Sequence, residues 1–363
     1  MNFTRLLSLS FVLLAFSLIE CTDTKLPIVY HPGYNISLFG LEKLHPFDSC
    51  KYGHVYDYLI EQQLIKSSEF HQPTEVTNQQ LLIIHPQSYL DSLDSLATLA
   101  RITEIPIDYI PQMFSSLVLP SIITPMRLAT GGTILATQLA LKKGWAINLG
   151  GGYHHAKDCE GGGFCAFADI PLAINILLQK NSKLQKVLII DLDAHQGNGH
   201  EWIFRDNDAI AIFDIYNEDI YPHDEEAKKA ITYNHPVHSG INDARYLALL
   251  KKQLPIALAD SKPDFIVYNA GTDILAGDTL GRMNISKQGI IERDAFVFGE
   301  AFKRNIPITM VLSGGYTKQS AGVISKSVEN LLTNVITPRR EIKAELTPEN
   351  KPIKKFIKKS TRK

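Results

Sequence analysis

Residues 187–201, VLIIDLDAHQGNGHE, constrain the fold of this chain more than any other stretch. Three β-branched residues and one leucine break abruptly into Asp191, Asp193 and His195. The chain then runs through Gly197, Asn198 and Gly199. A short apolar run bounded by glycines reads as a strand buried on both faces, the pattern of a parallel sheet. In open α/β sheets the reacting groups gather at the carboxyl ends of such strands. Asp193 and His195 are two apart, so an extended backbone would aim both side chains at one face. A carboxylate and an imidazole at that spacing suit a divalent metal. Taken alone, the pair fits a capping Asp and a surface His just as well.

The pattern recurs along the chain. Residues 26–30, 145–149, 186–190, 209–215, 265–268 and 308–312 read as short buried strands, with helical stretches between them at 110–142 and 166–178 among others. Strands alternating with helices indicate βα units and a parallel sheet. The 110–142 stretch carries Thr130-Gly131-Gly132-Thr133 at its middle. A helical Gly costs about 1 kcal/mol against Ala, so a close packing contact is expected there.

Five of these strands end in polar, glycine-flanked clusters: His154-His155, Asp191/Asp193/His195, Asp214 to Tyr221, Asp273, and Ser313-Gly314-Gly315-Tyr316. One such cluster is ordinary, but five at one end of a sheet describe a site. Asp193, His195 and Asp273 offer oxygen, nitrogen and oxygen donors, the three-ligand set of an open hydrolytic zinc site. An ion held there would acidify water towards neutral pH. His154 and His155, in a glycine-rich bend, are the candidate base and acid, since imidazole titrates in the required range. Asp191 and Asn198 are placed to accept from the far nitrogen of each imidazole and fix its tautomer. The Tyr316 hydroxyl can donate to a developing oxyanion.

With 363 residues, 45% of them hydrophobic and 21% charged, the chain has the make-up of a globular protein with an ample core. Its four cysteines show neither a disulfide framework nor a CxxC pair, which predicts reduced thiols. Charge is unevenly spread. Residues 338–363 hold ten Lys/Arg against three Glu, net +7, leaving 27 basic and 35 acidic residues elsewhere, net −8. Residues 6–19 are uncharged, short for a membrane span, and fit either a signal-peptide core or an uncleaved N-terminal helix.

Together, HHA…GGGFC, DLDAHQGNG, NAGTD…GD and SGGY resemble the histone deacetylase superfamily, which is related to arginases and acetylpolyamine hydrolases. The longer strings HPGYNISLFGLEKLHPFD, IYPHD and GTDILAGDTLGRMNIS resemble its class IV branch, and the match runs over residues 26–335. The resemblance implies a single-domain, three-layer α/β/α fold with a central, mostly parallel sheet, occupying residues 23–337. It implies zinc, with iron as an alternative, on Asp193, His195 and Asp273. It makes His155 the general base, His154 its electrostatic or acid partner oriented by Asp191, and Tyr316 the carbonyl polariser. Gly152, Phe164 and Tyr221 would line a tunnel for an acyl-lysine side chain. A structural potassium would sit on Asp191 and the backbone oxygens of Asp193 and His195, with Asp214 as a further ligand. Lys51 falls where some relatives keep a basic residue in an acetate-exit cavity.

One departure matters. Most class I and II relatives have an Asp where this chain has Asn198, and a neutral acceptor leaves His155 less basic. Class IV members share the Asn, which moves the expected substrate towards longer acyl chains. The expected activity is hydrolysis of Nε-acyl-lysine on histones or other proteins. The alternatives are an acetylpolyamine-type amide hydrolase and a weakly catalytic module that reads acyl-lysine on chromatin. The export-like N-terminus points to secretion. The basic tail points to a nucleus, to nucleic-acid contact, or to a solvated face, so the two ends agree only for delivery into another cell.

Overall fold

The computed structural model describes residues 25–337 apart from 38, 39, 41 and 43–46. The hydrophobic N-terminal segment and the basic tail lie outside the described residues.

Seven strands form one sheet: β1 (Ile28–Val29), β2 (Trp145–Asn148), β3 (Val187–Asp191), β4 (Ile210–Asn217), β5 (Tyr233–Val237), β6 (Phe265–Asn269) and β7 (Ile308–Val311). Their spatial order is β1-β2-β7-β6-β3-β4-β5, and every pairing is parallel. The helices are α1 (Lys51–Glu61), α2 (Asn78–Leu81), α3 (Gln87–Ser92), α4 (Leu96–Thr103), α5 (Ser115–Lys143), α6 (Asp169–Lys180), α7 (Asn198–Phe204), α8 (Asp243–Ser261), α9 (Lys287–Lys303) and α10 (Ser320–Asn330).

The near-continuous apolar strands are explained by burial on both sides. Leu188 and Ile190 of β3 join a cluster with Val55 of α1, Leu250 of α8, Phe298 of α9 and Val328 of α10. Val187 and Ile189 join another with Ala136 of α5, Ile174 of α6 and Phe204 of α7. The result is the three-layer α/β/α arrangement expected from the sequence. The glycines midway along α5 do meet a close contact. A Cβ on Gly132 would come within 2.0 Å of the Tyr34 hydroxyl, which donates to Asn148 Oδ1 at the end of β2 (2.8 Å).

The order in which strands are added reverses between β3 and β6. From β3 the chain moves outward through β4 to β5, and it returns to place β6 and β7 between β3 and β2. Such a reversal opens a crevice beyond the carboxyl ends of the strands, and Asp191 and Asn269 face each other across it in register. The sequence reading missed β5. Its segment YNHPV is polar and half exposed because it lies at the sheet edge, with only one strand neighbour. Among the described residues, no helix is long and apolar enough to cross a membrane.

Candidate active site

The loop after β2 carries the paired histidines, and a buried acid at the start of α6 shapes it. Asp169 Oδ2 accepts from the Gly152 N–H (2.9 Å) and the Thr133 hydroxyl (2.6 Å), and Oδ1 accepts from the Tyr153 N–H (2.8 Å). Gly152 sits at φ +86°, and a Cβ there would come within 2.7 Å of the Ser313 side chain. The bend therefore brings His154 and His155 to the floor of the crevice, their ring centroids 4.1 Å apart.

The two imidazoles have different supports. His154 Nδ1 is 2.9 Å from Asp191 Oδ2, and His155 Nδ1 is 2.8 Å from Asn198 Oδ1. Asp191 is held in turn, its Oδ1 accepting from Asn269 Nδ2 (2.9 Å) and the Asp193 N–H (3.1 Å). Burial lowers the proton affinity of His154, but Asp191 and Asp193 outweigh it and raise the pKa to about 9. Burial lowers His155 as well, and neighbouring His154 and His195 push it further, well below 6.5. Adjacent groups driven apart in this way have the opposed proton affinities that general acid–base chemistry uses.

Asp193, His195 and Asp273 converge with their ligand atoms all within 4.8 Å of one another, and all three are buried. The expected cause of this convergence was wrong. β3 ends at Asp191, so no extended strand aligns Asp193 with His195. A bend does so, in which the His195 N–H donates to Asp193 Oδ1 (3.0 Å) and the Ala194 N–H donates to Asp273 Oδ1 (2.8 Å). The Gly314 N–H donates to Asp193 Oδ2 (3.0 Å). Burial and the charge of Asp193 raise the Asp273 carboxyl to about 7. Two buried carboxylates facing one imidazole are the donor set that a divalent cation would satisfy, so the residues fit a metal site.

Tyr316 lines the same cleft, its ring edge-on to His195 with centroids 6.1 Å apart. Its backbone N–H donates to Asp278 Oδ2 (2.8 Å). Burial raises its hydroxyl well above 10, so it remains a donor at neutral pH. Phe164 and Tyr221 both line the cleft mouth, a cavity of about 380 Å³. Phe164 stacks at 4.5 Å on Phe47, and Tyr221 meets His155 edge-on at 5.0 Å. Lys51 is buried. It donates to the carbonyls of Ser313 (2.8 Å) and Gly315 (3.2 Å), and burial lowers its pKa to about 8. Asp214 pairs in register with Asp191 across β3 and β4, and its Oδ1 has no hydrogen-bond partner among the described residues.

Four residues behind this site were missed by the sequence reading: Asp169, Asn269, Asp278 and Arg293. Arg293 is wholly buried in α9. It donates to the carbonyls of Leu192 (3.0 Å), Gly271 (2.6 Å) and Ala270 (3.2 Å), which tie the loops bearing Asp193 and Asp273 together. A signal was available for Asp169, an acid opening a largely apolar helix, and for Asn269 and Asp278, which stand inside the NAGTD…GD string, but none marked Arg293 within the mixed sequence of α9.

Comparison with known proteins gives a consistent picture. A family model described as the histone deacetylase domain matches residues 45–332. Histone deacetylase 2 of Arabidopsis thaliana is 47% identical over 309 residues, covering 85% of this chain and 79% of the relative. An uncharacterised protein of Picosynechococcus sp. is 31% identical over 295 residues, covering 80% of this chain and 92% of that protein. The solved HDA15 HD domain superposes with a TM-score of 0.68 over 85% of this chain and 89% of that one, at 20% identity, a likeness of fold.

Proposed function

The chain belongs to the histone deacetylase family of amide hydrolases, and from that premise we propose that it removes acyl groups from the ε-amine of lysine in histones or other proteins. Asp193, His195 and Asp273 would hold a zinc or iron ion, which would polarise the amide carbonyl and acidify a water. His155, uncharged at neutral pH, accepts the proton of the attacking water at Nε2. His154, cationic beside Asp191, stabilises the developing negative charge and supplies a proton to the departing amine. Tyr316 donates its hydroxyl to the carbonyl oxygen as it becomes an oxyanion. Gly152, Phe164 and Tyr221 line the passage that admits the lysine side chain. Asp191 and Asp214 would supply oxygen ligands to a structural potassium ion, and residues 23–337 would form the catalytic domain.

The single observation that carries this reading is the pairing of His154 Nδ1 with Asp191 and of His155 Nδ1 with Asn198 beside a buried Asp-His-Asp group. Asn198 and the strings HPGYNISLFGLEKLHPFD and IYPHD support placement in the class IV branch. Beside His154 and His155, a cavity lined by Phe47, Tyr52, Cys165 and Tyr316 among others leaves about 20 Å³ free. That is room for about one water-sized group. That volume fits an acetyl methyl without rearrangement, and a longer acyl chain would need the lining to move. The cleft mouth is lined by Glu104 and Asp219 together with Arg282.

The test is an acyl-chain series from acetyl to myristoyl on one lysine peptide, with chelator and with zinc or iron restored. Release of an acyl group that chelator stops and metal restores is expected. Metal-loaded protein that releases neither acetyl nor myristoyl would overturn the proposal.

A further inference from the structure

The amide of Asn198 has two possible orientations, and only one of them suits His155. With Oδ1 towards His155, Nδ1 carries the hydrogen and Nε2 keeps its lone pair for the cleft. With Nδ2 towards His155, the tautomer reverses and the base is lost. The residue beyond Asn198 chooses between them. Asn198 Nδ2 lies 3.4 Å from Asp224 Oδ2, and the flipped amide would set its carbonyl oxygen against that carboxylate.

Asp224 is well held for such a task. Its Oδ2 is 2.8 Å from Lys157 Nζ, which lies over the Trp202 ring at 4.8 Å. Its Oδ1 accepts from the Ala227 N–H (3.1 Å). Its backbone N–H donates to Gln196 Oε1 (3.1 Å), and its carbonyl accepts from Gln196 Nε2 (3.0 Å), which ties it to the loop that follows β3. Hydrogen bonds from Lys157 and Ala227 keep its carboxyl below the usual range despite partial burial. The Asn198, Asp224 and Lys157 side chains all border a cavity of about 420 Å³ that also reaches His155 and Tyr221.

We propose that Asp224 is a positioning residue that fixes the Asn198 amide, and through it the Nδ1–H tautomer of His155. This rests on the reading of His155 as the base. The chain thus places its carboxylate one side chain further from the imidazole, with a neutral amide between. The arrangement holds the tautomer without setting a charge directly against His155.

Asp224→Asn keeps an acceptor for the Ala227 N–H while removing the charge that forbids the flip. It is expected to lower kcat by about tenfold or more, the range seen when a supporting partner is lost, with KM and bound metal unchanged. Combining it with Asn198→Asp exchanges the two roles, giving a carboxylate beside His155 and an amide behind it. Asp224→Asn should therefore cost no activity in the Asn198→Asp background, where two carboxylates would otherwise face each other. An equal loss of kcat in both backgrounds, with thermal stability unchanged, would assign Asp224 a role independent of Asn198 and overturn the proposal. Imidazole 15N NMR, with the His155 signals assigned by His155→Gln, reads the tautomer without any turnover. Nδ1–H is expected in the native protein and a loss of that preference in Asp224→Asn. An unchanged tautomer in that variant would sink the idea even if the enzyme's substrate were misassigned.

Discussion

His154 and His155 are neighbours in sequence and in space, yet the protein treats them in opposite ways. His154 leans on Asp191, a carboxylate in register with the sheet and held by Asn269 and the Asp193 N–H. His155 leans on Asn198, a neutral amide at the start of α7. One imidazole is driven to hold a proton and the other to release it. Both rings are buried alike, so the charges around them divide the labour: Asp191 and Asp193 hold a proton on His154, while burial and the neighbouring His154 and His195 push it off His155.

The sharpest way to break that contrast is to remove one ring at a time. His155→Ala should lower kcat by about 10²- to 10⁴-fold, the usual contribution of a general base, and His154→Ala should cost less. Steady-state kinetics at full metal occupancy decides this, and the reverse order would exchange the two roles. Next in size is Asp191→Asn, which removes the charge that keeps His154 protonated. It should cost about 10- to 100-fold in kcat or metal affinity, read by turnover together with metal analysis.

The pH profile tests the other arm. On the proposed mechanism His155 acts as a base when neutral, and its proton affinity is pushed well below 6.5. Activity should therefore persist as pH falls from neutral to below 6.5, and decline only where His155 gains its proton. Asn198→Asp places a charge beside the ring and raises its affinity, so the acidic limb of kcat/KM should move up by about one pH unit. A limb that stays in place would mean that the acceptor does not set the basicity of His155. The smallest effect is expected from Thr133→Val, which removes one hydrogen bond to Asp169 and disturbs both arms together. Thermal unfolding should show a loss of about 1 kcal/mol, with the relative contributions of the two histidines preserved.

How much of this was legible in the sequence follows from how locally each feature is encoded. Buried strands such as β3 and β7 announce themselves because both faces are apolar, and the site residues stand at their ends. The edge strand β5 has no such run. Asp169, Asn269, Asp278 and Arg293 were missed because their partners lie far off along the chain, as Arg293 does from the Leu192 carbonyl. The convergence of Asp193 and His195 was foreseen, but the bend that produces it depends on Asp273 and could not be read from the motif alone. The branch-level strings identified the neighbourhood of Asp224 without revealing its task, which appears only when α7 and the loop after β4 are brought together.

The sheet margins bear on how this protein behaves at high concentration. A parallel sheet with open sides offers rows of unpaired backbone groups to any passing strand. Here β1 is two residues long and its outer side already pairs with His71, and β5 places a proline, Pro236, in its five-residue run. One margin is too short to template an added strand, and the other lacks a donor where the ladder would continue. The folded domain should therefore resist growth by strand addition, and its solubility should suffer first from a change that lengthens β1 or replaces Pro236.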